Sequence, residues 1–218
     1  MKDRFYLACF RDNVGSNVSF HCIDGKGYAT DINKAHVYSH EQAQKEWDTG
    51  RSYDRPISAD HVDSLAIWKV DCQYIPKETI CSDLDELYVA YQEKKWDGND
   101  VYWMTMYVQP LTDFERAYKM DYEHARDFLN STDSNGFIVI PFSLADKAKR
   151  RTFDFSKYSP STMTQGAGLK MPAHLKKAKR RVENPKSRFN CPSCGKIVWK
   201  YNPYEFDHCD HCGQVGDL

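Results

Sequence analysis

Two pairs of cysteines near the carboxyl end of the chain restrict its fold more than any other feature of the sequence. Cys191 and Cys194 form one C-x2-C pair, and Cys209 and Cys212 form a second pair after fourteen intervening residues. Two cysteines separated by two residues direct both sulfurs toward one point from a single tight turn, and a glycine after each pair permits that turn. The spacing therefore predicts one tetrahedral Zn²⁺ site with four thiolate ligands.

A closed site of four thiolates has no open position for water or substrate, so we expect a structural ion rather than a catalytic one. His208 and His211 flank the last cysteines and leave open an alternative in which one of them replaces a thiolate. Disulfides or a redox pair are the weaker interpretation for a cytosolic chain with this doubled spacing. Metal binding is expected to supply the folding free energy of so short a segment.

The cysteine motif resembles the zinc-ribbon family over residues 189–215. The resemblance implies short antiparallel strands between the two cysteine turns, and nucleic-acid or protein binding as the usual function. Aromatic and basic side chains interleave in that stretch, where Trp199 and Tyr201 neighbour Lys196 and Lys200. Such rings stack on bases in single-strand binding proteins, but they could equally form the small core of the ribbon, and both interpretations stay open.

Charge divides the chain into three segments, although the overall net charge is only minus one. Residues 1–146 carry 15 basic and 25 acidic side chains, whereas residues 147–188 carry 13 basic side chains and two acidic ones. Residues 189–218 carry two basic and four acidic side chains. We therefore expect an acidic domain over 1–146, a basic and largely flexible linker over 147–188, and the zinc ribbon over 189–218.

The basic segment is predicted to bind a polyanion, because net charge governs association more than it governs folding. The open alternative is a solvated linker that its charge keeps extended, or one that folds back on the acidic domain. The residues expected to contact nucleic acid are Lys176, Lys177, Lys179, Arg180, Arg181, Lys186, Arg188, Lys196, Trp199, Lys200 and Tyr201.

The acidic domain is predicted to have a compact α+β fold with an antiparallel sheet. Apolar runs from Phe5 to Phe10 and from Val18 to Ile23 predict a hairpin, and Ser39 with Gln42 predicts a capping box at the start of a helix. Further strands are expected over 65–72, 101–108 and 137–142, and further helices over 83–96 and 112–130. We detect no internal repeat.

Part of the first 45 residues resembles a short module found at the start of many uncharacterised bacteriophage and prophage proteins. The resemblance is carried by Phe5-Tyr6-Leu7, by Gly27-Tyr28-Ala29-Thr30-Asp31, by Ala35 and Val37-Tyr38-Ser39, and by Glu41-Gln42-Ala43. It implies origin in a phage or another mobile element and action in the host cytoplasm. No chemistry is associated with the module.

No residue pattern makes a strong case for catalysis. Glu93-Lys94-Lys95 matches the E-x-K part of the PD-(D/E)xK nuclease pattern, but that motif needs a strand and here falls in a predicted helix. Gly25-Lys26-Gly27 lacks the full spacing of a phosphate loop and is better interpreted as a turn. We therefore assign no catalytic residue and expect a binding protein.

These observations favour a phage- or mobile-element-encoded accessory or regulatory protein that binds DNA or RNA through a zinc ribbon and a basic tether. Two alternatives remain open: an inhibitor or adaptor that binds a host or competitor protein through the acidic domain, and a metal-dependent nuclease. No apolar run reaches the roughly 18 residues of a bilayer span, so we expect a cytoplasmic protein without a membrane partner.

Overall fold

The computed structural model describes residues 3–84, 86–106, 109–180, 186–201 and 208–215, with the backbone alone for 177–180. The chain divides into two compact units, Met1–Met171 and Pro172–Leu218. The fold is a mixture of helices and antiparallel sheets, which confirms the predicted α+β class. In the described part of the chain, no helix is both long and apolar enough to cross a membrane.

Three antiparallel sheets form the first unit. In chain order its elements are β1 (Phe5–Val14), β2 (Asn17–His21), β3 (Tyr28–Ala29), α1 (His40–Thr49), β4 (Asp54–Ser58), α2 (Ala59–Leu65), β5 (Ile67–Val70), β6 (Tyr88–Asp97), β7 (Asp100–Trp103), α3 (Tyr122–Asn130), β8 (Phe137–Pro141), α4 (Phe142–Ala148) and β9 (Lys149–Thr152). The strand orders are β3-β2-β1-β4, β7-β6-β8 and β5-β9. The predicted hairpin and the Ser39–Gln42 capping box are both confirmed.

The first unit consists of one module that occurs twice. Adding 83 to the bounds of β1, β4 and α2 gives those of β6, β8 and α4: 5–14 becomes 88–97, 54–58 becomes 137–141, and 59–65 becomes 142–148. In each module the first strand pairs with the strands on both of its sides. We call residues 5–74 the first module and residues 88–157 the second module.

A pseudo-two-fold axis relates the two modules. The equivalent strands β5 and β9 pair antiparallel, with Ile67 opposite Thr152 and Lys69 opposite Arg150. The contacts beside them are reciprocal, since Phe155 N–H donates to the Ser16 carbonyl and Cys72 N–H donates to the Asn99 carbonyl. Reciprocal contact between equivalent residues is the signature of a two-fold interface.

This repeat overturns the expectation that the chain has none. Its strongest sequence trace lies between the first hairpin and the following helix, at an offset of 82 residues. The identical pairs are Thr30 and Thr112, Asp31 and Asp113, Ala35 and Ala117, Glu41 and Glu123, and Ala43 and Ala125. The first member of each pair lies within or beside the stretch that resembles the phage module, so that pattern occurs twice in the chain.

The module interface contains a buried ionic cluster. Lys69, which is wholly buried on β5, donates from Nζ to Asp97 Oδ2 at 3.0 Å and to Ser16 Oγ at 2.8 Å. Asp100 is also wholly buried and lies 2.7 Å from the Arg150 guanidinium. Buried charges are stable only when paired and hydrogen bonded, so this cluster depends on correct docking of the two modules.

The helix expected over 83–96 is wrong, because residues Tyr88–Asp97 form the strand β6. Leu84 and Leu87, which suggested a helical face with Tyr88 and Tyr91, are exposed. Tyr88 and Tyr91 instead belong to different apolar clusters on the two faces of the sheet. A strand buried on both faces loses the period-two alternation that identifies strands in a sequence.

The long helix expected over 112–130 is also shorter than predicted. Only Tyr122–Asn130 is α-helical, with Asp121 as its N-cap, whereas Phe114–Arg116 forms a separate 3-10 turn. Met120 exchanges two backbone hydrogen bonds with Tyr88, so the chain before Asp121 pairs with β6 and cannot be helical. The strand expected over 101–108 covers Asp100–Trp103, and residues 107 and 108 lie outside the described residues.

The first compact unit ends at Met171, whereas the sequence predicts a domain boundary at residue 146. The predicted linker begins with β9, whose basic side chains are ion paired within the first unit: Lys149 with Asp146, Arg150 with Asp100, and Arg151 with Asp63. Composition suggested a linker, but the pairing of β9 with β5 gives this segment its structure. The first unit thus carries 21 basic and 26 acidic residues, a net charge of minus five.

Candidate metal centre and nucleic-acid interface

The second unit contains the helix α5 (Ala173–Arg180) and the strands β10 (Ser187–Asn190) and β11 (Ile197–Lys200). The two strands pair antiparallel, with Phe189 opposite Val198. Val198 and two of the cysteines are buried together, and Phe189 packs against them. An antiparallel pair is therefore present, but β10 precedes the first cysteine turn, so that of these two strands β11 alone lies between the turns as the resemblance implies.

The two cysteine turns have the same hydrogen-bond pattern. In the first turn, Cys191 N–H donates to the Lys196 carbonyl at 2.8 Å, and Gly195 N–H donates to the Cys191 carbonyl at 2.9 Å. In the second turn, Cys209 and Gly213 make the corresponding bonds, each at 2.9 Å. Gly195 and Gly213 have φ angles of 73° and 71°, which favour glycine at both positions.

The four thiols converge on one point. The sulfurs of Cys191, Cys194, Cys209 and Cys212 all lie within 4.8 Å of one another. Cys191 Sγ is 3.8 Å from Cys212 Sγ, and Cys194 Sγ is 3.7 Å from Cys209 Sγ. A tetrahedral ion with metal–sulfur bonds of 2.3 Å requires sulfur separations of about 3.8 Å, whereas a disulfide requires about 2.05 Å. The predicted ligand set thus fits a metal ion and not a pair of disulfides.

Backbone donors at the site favour thiolates. His211 N–H lies 3.4 Å from Cys209 Sγ and donates to it. This hydrogen bond is the largest of several contacts that lower the pKa of the Cys209 thiol, which favours the deprotonated form that binds metals. At Cys212, a backbone hydrogen bond from Gln214 lowers the pKa of the thiol, but burial and contacts with the other cysteines outweigh it and raise the pKa.

The two histidines near the second turn do not join the cluster. His211 Nε2 lies 3.2 Å from the Ile197 carbonyl, so its ring contacts the backbone of β11. His208 Nε2 lies 3.7 Å from Asp210 Oδ1. Among the described residues, the group that could hold an ion comprises the four cysteines. The alternative with a histidine ligand is therefore not supported.

The two faces of the ribbon sheet differ in chemistry. Residues opposite each other in an antiparallel pair share a face, so Arg188 lies beside Trp199, and Tyr201 follows on the same side. Trp199 is 44% exposed and Tyr201 is 72% exposed. Lys186 Nζ lies 5.1 Å from the centre of the Tyr201 ring, within cation–π range. We call Lys186, Arg188, Trp199 and Tyr201 the outer face.

The structure separates the remaining predicted contact residues. Lys200 lies on the opposite side of the sheet and is ion paired with Asp210 at 3.3 Å, so it does not belong to the outer face. Lys196 is exposed in the loop before β11, and Lys176 is exposed on α5. Lys177, Lys179 and Arg180 lie on the same helix, and Arg181 lies outside the described residues.

The structure adds little support for catalysis at the two motifs considered in the sequence, Glu93-Lys94-Lys95 and Gly25-Lys26-Gly27. Glu93 and Lys95 lie on β6, so the strand that the nuclease pattern requires is present after all. However, Glu93 pairs with Lys94 at 2.8 Å, and Lys95 Nζ lies 5.1 Å from the Tyr102 ring. In the part of the chain that is described, no group of carboxylates joins them at metal-binding distance. Gly25 ends a 3-10 turn and Lys26 caps it, in agreement with the interpretation of Gly25-Lys26-Gly27 as a turn.

Comparison of the chain with protein-family models, curated proteins and solved structures finds no match. The likenesses to the zinc-ribbon family and to the phage module therefore remain resemblances of short motifs. The functional argument depends on the geometry of this chain's own residues. That geometry is most specific at the four cysteines and on the outer face.

Proposed function

We propose that the protein is a nucleic-acid-binding accessory or regulatory protein that uses its second unit, a Zn²⁺ ribbon preceded by a basic helix. Zinc is the ion best suited to a closed tetrahedral set of four thiolates. With no open coordination position, the ion holds the ribbon in shape and performs no chemistry. In this proposal the protein acts by binding.

The outer face is the single observation that carries this proposal. A ribbon that needed its aromatic residues as a core would bury them, but Val198 and Phe189 fill that role and leave Trp199 and Tyr201 exposed. Exposed rings beside Arg188 and Lys186 match the requirements of single-stranded nucleic acid, in which bases stack on rings while phosphates pair with cations. Exposed aromatic side chains are otherwise a liability for solubility.

The basic residues supply affinity without sequence selectivity. Residues 172–188 carry seven Lys and Arg and one acidic residue, Glu183. Charge of this kind contacts phosphates, which position a protein on nucleic acid but carry no sequence information. Binding should therefore depend steeply on salt and weakly on sequence.

The proposal is tested by anisotropy titration of the Zn²⁺-loaded full chain with a fluorescent single-stranded DNA or RNA of mixed sequence. Trp199→Ser should weaken binding by about 1–3 kcal/mol, the value of one stacked base. Trp96→Ser is the matched control, because Trp96 has a similar exposed fraction, 49%, but lies on β6 in the first unit. Tyr201→Ser and Tyr74→Ser form a second pair, each tyrosine being 72% exposed.

Equal effects of Trp199→Ser and Trp96→Ser would contradict the proposed interface, as would affinity that does not change between low and moderate salt. The adaptor alternative predicts that one protein partner is retained after nuclease treatment and after neutralisation of α5. The net charge of minus five on the first unit is a weaker argument for nucleic-acid mimicry than the minus ten of residues 1–146. Phage origin and action in host cytoplasm are supported only by the module resemblance.

A further inference from the structure

Each module has a surface groove at an equivalent place, beside the end of its second strand. The first groove measures about 440 Å³ and the second about 400 Å³. Lining positions correspond across the repeat, His21 to Met104 at an offset of 83 residues and Tyr38 to Met120 at an offset of 82, while Arg51 and Asp133 lie in corresponding loops of different length. The groove is therefore a feature of the module itself. It is present in both modules, although the side chains that line it differ between them.

The two grooves differ in chemistry in a way that folding does not require. Asp54, beside the first groove, is only 5% exposed, and its equivalent in the second module is Phe137. Met104 and Phe137 pack against the apolar cluster of the second module. Burying a carboxylate costs free energy, and the second module completes the same fold with apolar residues. The polar cluster of the first groove is thus explained better by a ligand than by folding.

Asp54 organises the cations of the first groove. Arg51 Nε donates to Asp54 Oδ2 at 2.8 Å, and Arg51 also donates to the Tyr28 hydroxyl. His21 Nε2 lies 3.3 Å from Asp54 Oδ1 on the other side of the carboxylate. His21 Nε2 and Asp54 Oδ1 are both buried, but the contact between them does not have the geometry of a hydrogen bond, and neither atom has another hydrogen-bond partner among the described residues. A pinned guanidinium with N–H groups to spare is suited to bind a phosphate.

Four rings line the first groove, together with Cys22, Asp24, Gly25 and Gly27. The His21 and Tyr28 rings meet edge to face at 4.7 Å, and His36 and Tyr38 do so at 4.5 Å. Burial raises the pKa of Tyr38, so its hydroxyl stays protonated and available as a donor. Such rings offer faces and edges to a flat heterocycle, and the groove volume falls in the range of small-molecule sites, roughly 300–1,000 Å³.

We propose that the first groove binds a nucleotide, with the base against the Tyr28 and Tyr38 rings and the phosphate on Arg51. The site is distinct from the outer face of the ribbon and does not depend on the function proposed for it. The chemistry is shared by a free nucleoside monophosphate and by the 5′-phosphorylated end of a nucleic-acid strand. These two sources differ in whether the chain continues beyond the first nucleotide.

The test is calorimetric titration of the Zn²⁺-loaded full chain with AMP and UMP, with adenosine and inorganic phosphate, and with a 5′-phosphorylated DNA tetramer. At least one nucleoside monophosphate should bind saturably, and about tenfold or more tightly than adenosine or phosphate alone. A tetramer that binds more tightly than AMP identifies a strand end as the source, and the reverse identifies a free nucleotide.

Two variants locate the site. Arg51→Gln should weaken nucleotide binding about tenfold or more, whereas Asp133→Asn, in the lining of the second groove, should leave it unchanged. The double variant His21→Met with Asp54→Phe imports the residues of the second module, so it should fold, with an unchanged or raised melting temperature, and lose binding. Trp199→Ser should have no effect on mononucleotide binding, which separates this site from the ribbon.

The proposal is overturned by any one of four results. The first is the absence of saturable binding of AMP and UMP at millimolar concentration. The second is phosphate binding as tightly as the nucleotides, since the rings would then contribute nothing. The third is equal loss of binding in Arg51→Gln and Asp133→Asn. The fourth is full binding by the folded double variant.

Discussion

Gly15 and Gly98 are equivalent residues of the two modules, and their backbones contact each other across the pseudo-two-fold axis. Both have positive φ angles, 60° and 65°, in the turns that follow β1 and β6. A Cβ atom at Gly98 would lie 2.7 Å from the Gly15 nitrogen, and one at Gly15 would overlap the backbone of residues 97 and 98. Glycine is thus required at both positions by conformation and by space.

Alanine at this contact should weaken the docking of the modules. Gly15→Ala and Gly98→Ala are expected to cost about 1–3 kcal/mol more than Gly136→Ala, because overpacking adds to backbone strain. Gly136 is the matched control, since its φ is 80° but nothing lies within 4 Å of a Cβ there. Urea unfolding measures the free energies, and equal losses in all three variants would contradict the close approach.

The pairing of Lys69 with Asp97 predicts a large effect of Asp97→Asn. Removal of this carboxylate deprives the buried Lys69 ammonium of its nearest counter-ion, and breaking such a pair costs about 3–5 kcal/mol. Lys69→Met with Asp97→Asn should be less destabilising than Asp97→Asn alone. Thermal unfolding at pH 7 measures the relative stabilities of the variants. If Asp97→Asn left the stability unchanged, the ionic cluster would not be a stabilising element.

The same pair predicts how stability depends on pH. Burial opposes the charge of Asp97, but hydrogen bonds from Ser16 and Lys69 outweigh it and hold the pKa of Asp97 below its ordinary value. A lowered pKa in the folded state contributes stability above the ordinary value, about 3.9, and loses it as the pH falls further. The difference in unfolding free energy between wild type and Asp97→Asn should therefore be constant from pH 7 to 5 and shrink below pH 4.

Asp100 changes the pH dependence of stability in the direction opposite to that of Asp97. Its burial outweighs the attraction of Arg150 and raises its pKa. The folded state therefore binds this proton more tightly than the unfolded state, and its protonation favours the folded state as the pH falls. Asp100→Asn should consequently be more destabilising at pH 4 than at pH 7, as measured by the same unfolding experiment, because the variant cannot gain the stability that the wild type gains from this protonation.

Removal of the metal should unfold the second unit and spare the first. Elemental analysis is expected to give one zinc ion per chain, and a chelator should abolish the ribbon because its apolar core is so small. Limited proteolysis should then cleave after residue 171 and leave a stable fragment of the first unit. Cys194→Ser should reproduce this pattern without chelator. Uniform digestion of both units after chelation would contradict the division into independent units.

Salt dependence distinguishes the two sides of the ribbon sheet. Arg188→Gln should reduce the slope of log affinity against log salt by about 0.9 on duplex DNA, or about 0.7 on a single strand, since one phosphate contact is lost. Lys200→Gln is the control, because Lys200 is ion paired with Asp210 on the other side. A larger change of slope in Lys200→Gln than in Arg188→Gln would contradict the proposal that the outer face of the ribbon contacts nucleic acid.

Features encoded within a few consecutive residues were predicted correctly. The clustering of the four cysteines follows from C-x2-C turns, whose geometry depends on two cysteines and one glycine. The start of α1 follows from Ser39 and Gln42, which exchange hydrogen bonds within one helical turn. The first hairpin follows from two apolar strands around Gly15. In each case the interactions that decide the structure lie close together in the chain.

Features that depend on distant parts of the chain were not predictable. Residues 149–152 look like a charged linker until β5 pairs with them, and β6 looks helical because both of its faces are buried. The exposure of Trp199 was undecided until Val198 and Phe189 filled the ribbon core. The repeat leaves little trace in the strands, because strands need only apolar residues, not identical ones. The structure of local turns thus follows directly from neighbouring residues. Docking of the modules arises only when segments about 80 residues apart meet, and the first groove only when residues between 21 and 54 come together.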